Sequence, residues 1–210
     1  MDGLADELVG AAVEEGLETF AVSGFSLGAA VAVRAAARHP DRVTALVLTA
    51  GFAYPNPRFL LAARLWRDML RRGALEELAG LLSLIGLSAP VVDALDEDEL
   101  AAAVTTGAAT VPPGTPEHVE LIISGVDVRG DLPGLAVPTL VISTTLDQLV
   151  TPPHHRQLAD GIPGAHYAEI ATGHLPFLER PGEWAALIRD FLRQESSTAA
   201  TASISTSWSA

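Results

Sequence analysis

Cysteine is absent from this 210-residue chain, which removes disulfides, thiolate nucleophiles and every cysteine-based metal site together and leaves the redox compartment undetermined. Positive charge is scarce, with 13 basic residues against 26 acidic ones. A surface of that sign repels phosphate backbones and anionic lipid, so neither nucleic acid nor membrane is an expected partner, and a small neutral or weakly polar ligand fits better. Long apolar runs are also missing; none reaches the roughly 18 residues that a spanning helix needs. The start, Met1-Asp2-Gly3-Leu4-Ala5-Asp6-Glu7, is acidic and lacks a charged-then-apolar leader, so the cytoplasm is the default expectation. What is abundant is apolar side chain, 49% of residues. That is enough to bury one substantial core, and nothing argues for two independent domains.

Leu4, Leu8, Ala11, Ala12 and Leu17 recur at helical spacing and predict an amphipathic helix over residues 4–16. Phe20-Ala21-Val22-Ser23 is a short apolar run that breaks at Gly24, and the alanine-rich stretch from Leu27 to Arg38 is periodic until His39-Pro40 stops it. The order is helix, strand, sharp turn, helix. Thr44 to Thr49 and Thr139 to Ser143 are continuous apolar runs with β-branched members, which suits strands buried on both faces, and His166 to Ile170 is a weaker third. Strands separated by helices imply an α/β fold on a parallel sheet.

Residues 52–131, approximately, read almost wholly helical, too long for a simple crossover. Leu61, Leu65 and Met69 share one face, Arg64, Arg67 and Arg71 another, and Asp96 with Glu99 has capping-box spacing. A helical insertion over the sheet's carboxyl edge is expected, where ligands of open α/β sheets bind. Residues 196–210 are almost entirely Ser, Thr and Ala and are expected to be a disordered tail after a folded unit of residues 1–195.

The strongest motif is Gly24-Phe25-Ser26-Leu27-Gly28, a G-x-S-x-G between a predicted strand and a predicted helix. Such a turn strains the serine, so small residues at Gly24 and Gly28 are expected to let neighbouring backbone pass close by. The helix that starts there aims free N–H groups at a reacting carbonyl, and Leu27 N–H is placed to donate to an oxyanion. Five residues of this pattern also occur by accident, as a plain strand-to-helix turn, so the rest of the chain must decide.

A serine hydroxyl needs a base oriented by an acid. Among six histidines, only His174 lies in a short glycine-containing loop just past the carboxyl end of the last strand, the edge at which Ser26 should emerge. Asp147 follows the strand ending at Ser143 by one short loop, at the same edge. Asp127 and Asp131 precede that strand and fall at the opposite edge, and Asp160 belongs on a solvated helix. The other place for the acid, after the preceding strand, holds Ala50-Gly51-Phe52 and no carboxylate.

With these residues in view, the chain resembles the α/β-hydrolase superfamily from Leu4 to Leu192. The resemblance rests on the elbow around Ser26, on Arg38-His39-Pro40-Asp41-Arg42-Val43, on Val137 to Ile142, on the loop Leu146 to Pro152, and on Gly173-His174 followed by Glu179-Arg180-Pro181. It implies Ser26 as nucleophile, Asp147 as acid, His174 as base and Leu27 as one oxyanion donor, in a serine hydrolase acting on a small ester, lactone or thioester without cofactor or metal. Phe25, Trp66 and Met69 are the expected linings of an apolar pocket. The same triad serves C–C bond hydrolases, acyltransferases and cofactor-free perhydrolases of the superfamily. A serine at position 26 disfavours dehalogenase and epoxide hydrolase chemistry.

Relative to the family pattern, the strands and the His-Gly loop that precede the elbow have no counterpart here. The resemblance therefore implies an N-terminally truncated hydrolase fold, with the Phe20 to Ser23 strand as an unprotected edge. Weak activity, or association of copies through that edge, is expected. A non-catalytic remnant or binding subunit is the alternative from a different class.

Overall fold

The computed structural model describes the backbone of residues 1–207 and the side chains of residues 1–197. In chain order the elements are α1 (Asp2–Glu14), β1 (Phe20–Phe25), α2 (Leu27–Arg38), β2 (Val43–Thr49), α3 (Pro57–Arg72), α4 (Leu75–Gly86), α5 (Ala89–Asp93), α6 (Glu97–Ala109), α7 (Thr115–Gly125), β3 (Thr139–Thr144), α8 (Pro152–Gly161), β4 (His166–Ile170), α9 (Pro176–Glu179) and α10 (Pro181–Ser207).

The four strands form one sheet in the order β1-β2-β3-β4, every neighbouring pair parallel. This is the parallel α/β sheet that the alternation of strands and helices implies, and the arrangement expected from the resemblance to the α/β-hydrolases. Parallel strands cannot be joined by hairpins, so each returns through helix, and all four carboxyl ends open on one edge. β3 is buried at every residue and β2 at all but Thr44, because helices cover both faces. On one side Val22, Leu46, Leu48 and Val141 pack with Val33 of α2 and Leu158 of α8. On the other, Val47, Leu140, Ile142 and Ile170 meet Phe191, Trp184 and Ile188 of α10. The outer side of β1 has no strand partner among the described residues.

Three local outcomes differ from the sequence expectations. First, Gly24 does not end β1; it pairs with Leu48 and the strand continues to Phe25. A Cβ at Gly24 would collide with the Gly28 carbonyl and the Ala29 backbone, so glycine serves a close strand-to-helix approach. Second, the Leu61-Leu65-Met69 face of α3 is not the buried one. Phe59 and Ala63 are buried, with Trp66 and Leu70 packed against the core, while Leu61 and Leu65 are 60% and 45% exposed. The two aromatic side chains carry the larger apolar area, and they orient the helix. Third, α10 continues helically to Ser207, where composition predicts a disordered tail. Residues 181–192 are anchored on the sheet, so extending into Ala-rich sequence needs propagation but no new nucleus. The last three residues of that segment lie outside the described residues.

Between β2 and β3 the insertion consists of α3 to α7, with α3 packed on α7 and α4 on α6. The capping box at Asp96 forms as its spacing implies, with Glu99 N–H donating to the Asp96 side chain at 2.8 Å and Asp96 N–H donating to Glu99 at 3.0 Å. Among the described residues no helix is long and apolar enough to cross a membrane.

Candidate active site

Three loops at the carboxyl edge bring Ser26, Asp147 and His174 together. Ser26 sits in the turn between β1 and α2 at φ 54° and ψ −120°, a left-handed conformation that costs a non-glycine residue roughly 1–3 kcal/mol. The surroundings hold it there: Ser26 N–H donates to the Thr49 carbonyl at 3.0 Å, and the Ser26 carbonyl accepts from Ala29 N–H at 3.0 Å. Gly28 differs from Gly24, since a Cβ there would meet nothing within 4 Å. It borders the open cleft and is not required by a backbone contact.

Asp147 follows β3 and is 3% exposed. Its Oδ1 accepts from Leu149 N–H and Val150 N–H, both at 2.9 Å. Its Oδ2 accepts from Thr144 Oγ1 at 3.0 Å and from His174 Nδ1 at 2.7 Å. Four donors on one carboxylate fix its plane and leave it no freedom to turn from the imidazole. A carboxylate accepts only, so the imidazole proton lies on Nδ1 and the Nε2 lone pair faces Ser26, whose Oγ–H donates to it at 3.0 Å. The Phe25 ring lies against the imidazole with centroids 4.8 Å apart, and Phe177 meets Phe25 edge-on. The Phe25 ring covers the histidine, which is 5% exposed.

The Ser26 hydroxyl opens on a cleft of about 820 Å³ whose lining includes Phe25, Leu27, Trp66, Val119, Ile122 and His174. Leu27 N–H belongs to the first turn of α2, where amides have no intrahelical acceptor. Of the three expected lining residues, Phe25 and Trp66 border the cleft and Met69 does not, because it lies on the outer flank of α3. Asp127 and Asp131 are engaged elsewhere, with Arg129 at 2.6 Å and Arg34 at 3.1 Å. Among the described residues no group of three or more His, Asp or Glu side chains is placed to hold a metal ion.

Two neighbours of the site escape sequence reasoning. His154 and His155 read as the polar start of α8, yet they are 4% and 0% exposed. His155 Nδ1 is 3.1 Å from Ser143 Oγ, and burial pushes its pKa down to about 4. His154 Nε2 accepts from Asn56 N–H at 3.3 Å, so its Nδ1 carries the proton toward the Thr151 carbonyl at 3.2 Å. Burial also lowers its pKa. The His155 ring is bonded to β3 and the His154 ring to the Thr151 turn and to Asn56 ahead of α3, on either side of the loop that carries Asp147, and no local spacing announces these contacts.

A serine on a strained strand-to-helix turn, with an aspartate and a histidine from later strand ends of a parallel sheet, defines a hydrolase of α/β architecture. The model of the alpha/beta hydrolase fold family matches residues 15–181, and the chain belongs to that family and is an α/β-hydrolase enzyme. It is 33% identical over 196 residues to pyrrolizixenacetamide deacetylase of Xenorhabdus hominickii, covering 91% of this chain and 72% of that protein. It is 29% identical over 182 residues to a pimeloyl-[acyl-carrier protein] methyl ester esterase of Neisseria meningitidis, covering 81% and 68%. Among solved structures it is similar to the enol-lactonase from Burkholderia xenovorans LB400, with a TM-score of 0.78, 27% identity and coverage of 91% and 72%.

Proposed function

We propose that the chain is a serine hydrolase that cleaves a small ester, lactone or thioester through an acyl-enzyme on Ser26. The observation that carries this reading is the unbroken line from Asp147 Oδ2 through His174 to Ser26 Oγ, with steps of 2.7 Å and 3.0 Å, at the wall of an apolar cleft. Ser26 Oγ attacks the carbonyl carbon while its proton passes to His174 Nε2. Asp147 keeps the Nδ1 proton in place and offsets the charge on the imidazolium. The oxyanion accepts from Leu27 N–H at the positive end of α2. As the C–O or C–S bond breaks, Nε2 returns the proton to the leaving alkoxide or thiolate. Water then gives its proton to Nε2 and attacks the acyl carbon, and Ser26 is released protonated.

The names of similar proteins support the class of reaction: a deacetylase, a methyl ester esterase and a lactonase each cleave an acyl bond. The cleft volume is within the usual range for small-molecule sites. Hydrolysis of p-nitrophenyl acetate and butyrate by the chain and by Ser26→Ala tests the proposal. The expected result is a loss of at least about a thousandfold in kcat in the variant. Equal rates for the two proteins contradict it.

A further inference from the structure

We infer that Glu179 is a positioning residue whose carboxylate fastens the His174 loop to the helical insertion, so that the seating of the insertion sets the register of the base. The inference rests on the proposed role of His174. Glu179 closes α9, and its two oxygens accept three hydrogen bonds. Oε1 takes Ser88 N–H at 2.9 Å and Gly173 N–H at 3.0 Å, and Oε2 takes Ser88 Oγ–H at 2.6 Å. One donor belongs to the loop that carries the base and two to the α4–α5 junction of the insertion. A fourth link runs directly between those segments, from His174 N–H to the Gly86 carbonyl at 2.7 Å.

The steric fit is equally close. A Cβ at Gly173 would stand 2.5 Å from the Leu87 carbonyl carbon and the Ser88 nitrogen, so the insertion's backbone lies flat against the residue before the base. No side chain fits between them.

Two observations separate this arrangement from ordinary surface packing. Ser88 is the N-cap residue of α5, where a serine side chain usually accepts from a helix amide. Here it makes no capping bond, and at 2% exposure its hydroxyl goes to Glu179 instead. The neighbouring Arg180 pairs with Glu183 at 3.3 Å, so Glu179 serves neutral donors of two separate segments.

The chain of consequence is short. His174 bridges Asp147 and Ser26 at 2.7 Å and 3.0 Å, and its backbone is held by two successive amides, its own N–H bonded to the Gly86 carbonyl and Gly173 N–H to Glu179. Without the carboxylate, Ser88 N–H and Gly173 N–H lose their shared acceptor, and displacement of a base by a fraction of an ångström is costly in rate.

The test uses Glu179→Ala, Glu179→Gln and Ser88→Ala, with p-nitrophenyl butyrate kinetics and amide hydrogen exchange of residues 86–88 and 173–174. Glu179→Ala is expected to lower kcat about tenfold with KM within about twofold, and to speed exchange at Ser88 and Gly173. Glu179→Gln keeps one carbonyl oxygen for both N–H groups and is expected to recover kcat to within about threefold of wild type. Wild-type kcat in Glu179→Ala overturns the inference, as does a change confined to KM. If Glu179→Ala does not fold, Ser88→Ala decides: about threefold lower kcat at unchanged KM supports the inference, and unchanged kcat overturns it. Exchange needs no turnover. If wild type proves no faster than Ser26→Ala, the proposed function fails, while protection of Ser88 and Gly173 that persists in Glu179→Gln and is lost in Glu179→Ala still supports the junction, and equal protection in all three overturns it.

Discussion

The carboxyl edge of the sheet and the helical insertion above it build one cleft by different means. At the edge, three polar side chains are placed by loops that leave the ends of hydrogen-bonded parallel strands, in a sheet whose central strands β2 and β3 are buried on both faces. Their positions follow from the sheet. The insertion gives Trp66, Val119 and Ile122 to the cleft from amphipathic helices that pack chiefly on one another. Placement of reacting atoms thus sits where the backbone is most constrained, and ligand fit where side chains can vary at small cost in stability.

The contrast is sharpened most by Asp147→Asn. The amide offers His174 Nδ1 a mixed donor and acceptor, the imidazole loses its fixed tautomer, and kcat is expected to fall on the order of 10³–10⁴-fold with KM little changed, measured on p-nitrophenyl butyrate. A drop below about tenfold would mean that the edge is less exacting than its geometry.

Next come the two glycines of the serine turn. Gly24→Ala forces a Cβ into the Gly28 and Ala29 backbone and is expected to cost about 3 kcal/mol or prevent folding. Gly28→Ala meets open space and is expected to change stability by less than about 0.5 kcal/mol. Denaturant titration of both separates a requirement of the sheet from one of the cleft.

The pH dependence of stability probes buried His155, bonded to Ser143 of β3. Burial holds His155 at about 4, against about 6.5 in the unfolded chain. Between those values the unfolded state binds a proton that the folded state refuses. The stability associated with neutral His155 is therefore complete above pH 6.5 and lost as pH falls toward 4, about 2 kcal/mol of it by pH 5. Thermal melts at pH 7 and 5 should show a smaller drop in Tm for His155→Gln than for wild type, by about 4–8 °C. Parallel drops would contradict this account.

The smallest effect belongs to the insertion. Trp66→Ala enlarges the cleft and is expected to shift the ratio of kcat/KM for butyrate over acetate by about tenfold while the Ser26-dependent rate persists. A uniform collapse of both rates would place Trp66 with the machinery of the edge.

The same contrast explains what was legible in the sequence. Strands such as β3 show as apolar runs, here Thr139 to Ser143, and parallel topology carries Ser26, Asp147 and His174 to one edge by logic alone. The face of α3 was not legible, because Leu61, Leu65 and Met69 form as regular a stripe as Phe59, Ala63 and Trp66, and only packing against α7 and the core selects between them. Gly24 looked like a strand breaker because the helix above it is a tertiary neighbour. His155 and Glu179 carry no local signature, since their partners Ser143, Ser88 and Gly173 are brought near by the fold; Glu179 stood in the sequence only as part of a motif without a role.

The most direct test of the central claim is intact-mass and peptide mapping after treatment with a fluorophosphonate, which forms a phosphoryl ester with an activated serine and releases fluoride. The account predicts one adduct per chain, located on Ser26 and lost in His174→Ala. No adduct on the folded wild-type chain, or one on another residue, would contradict it.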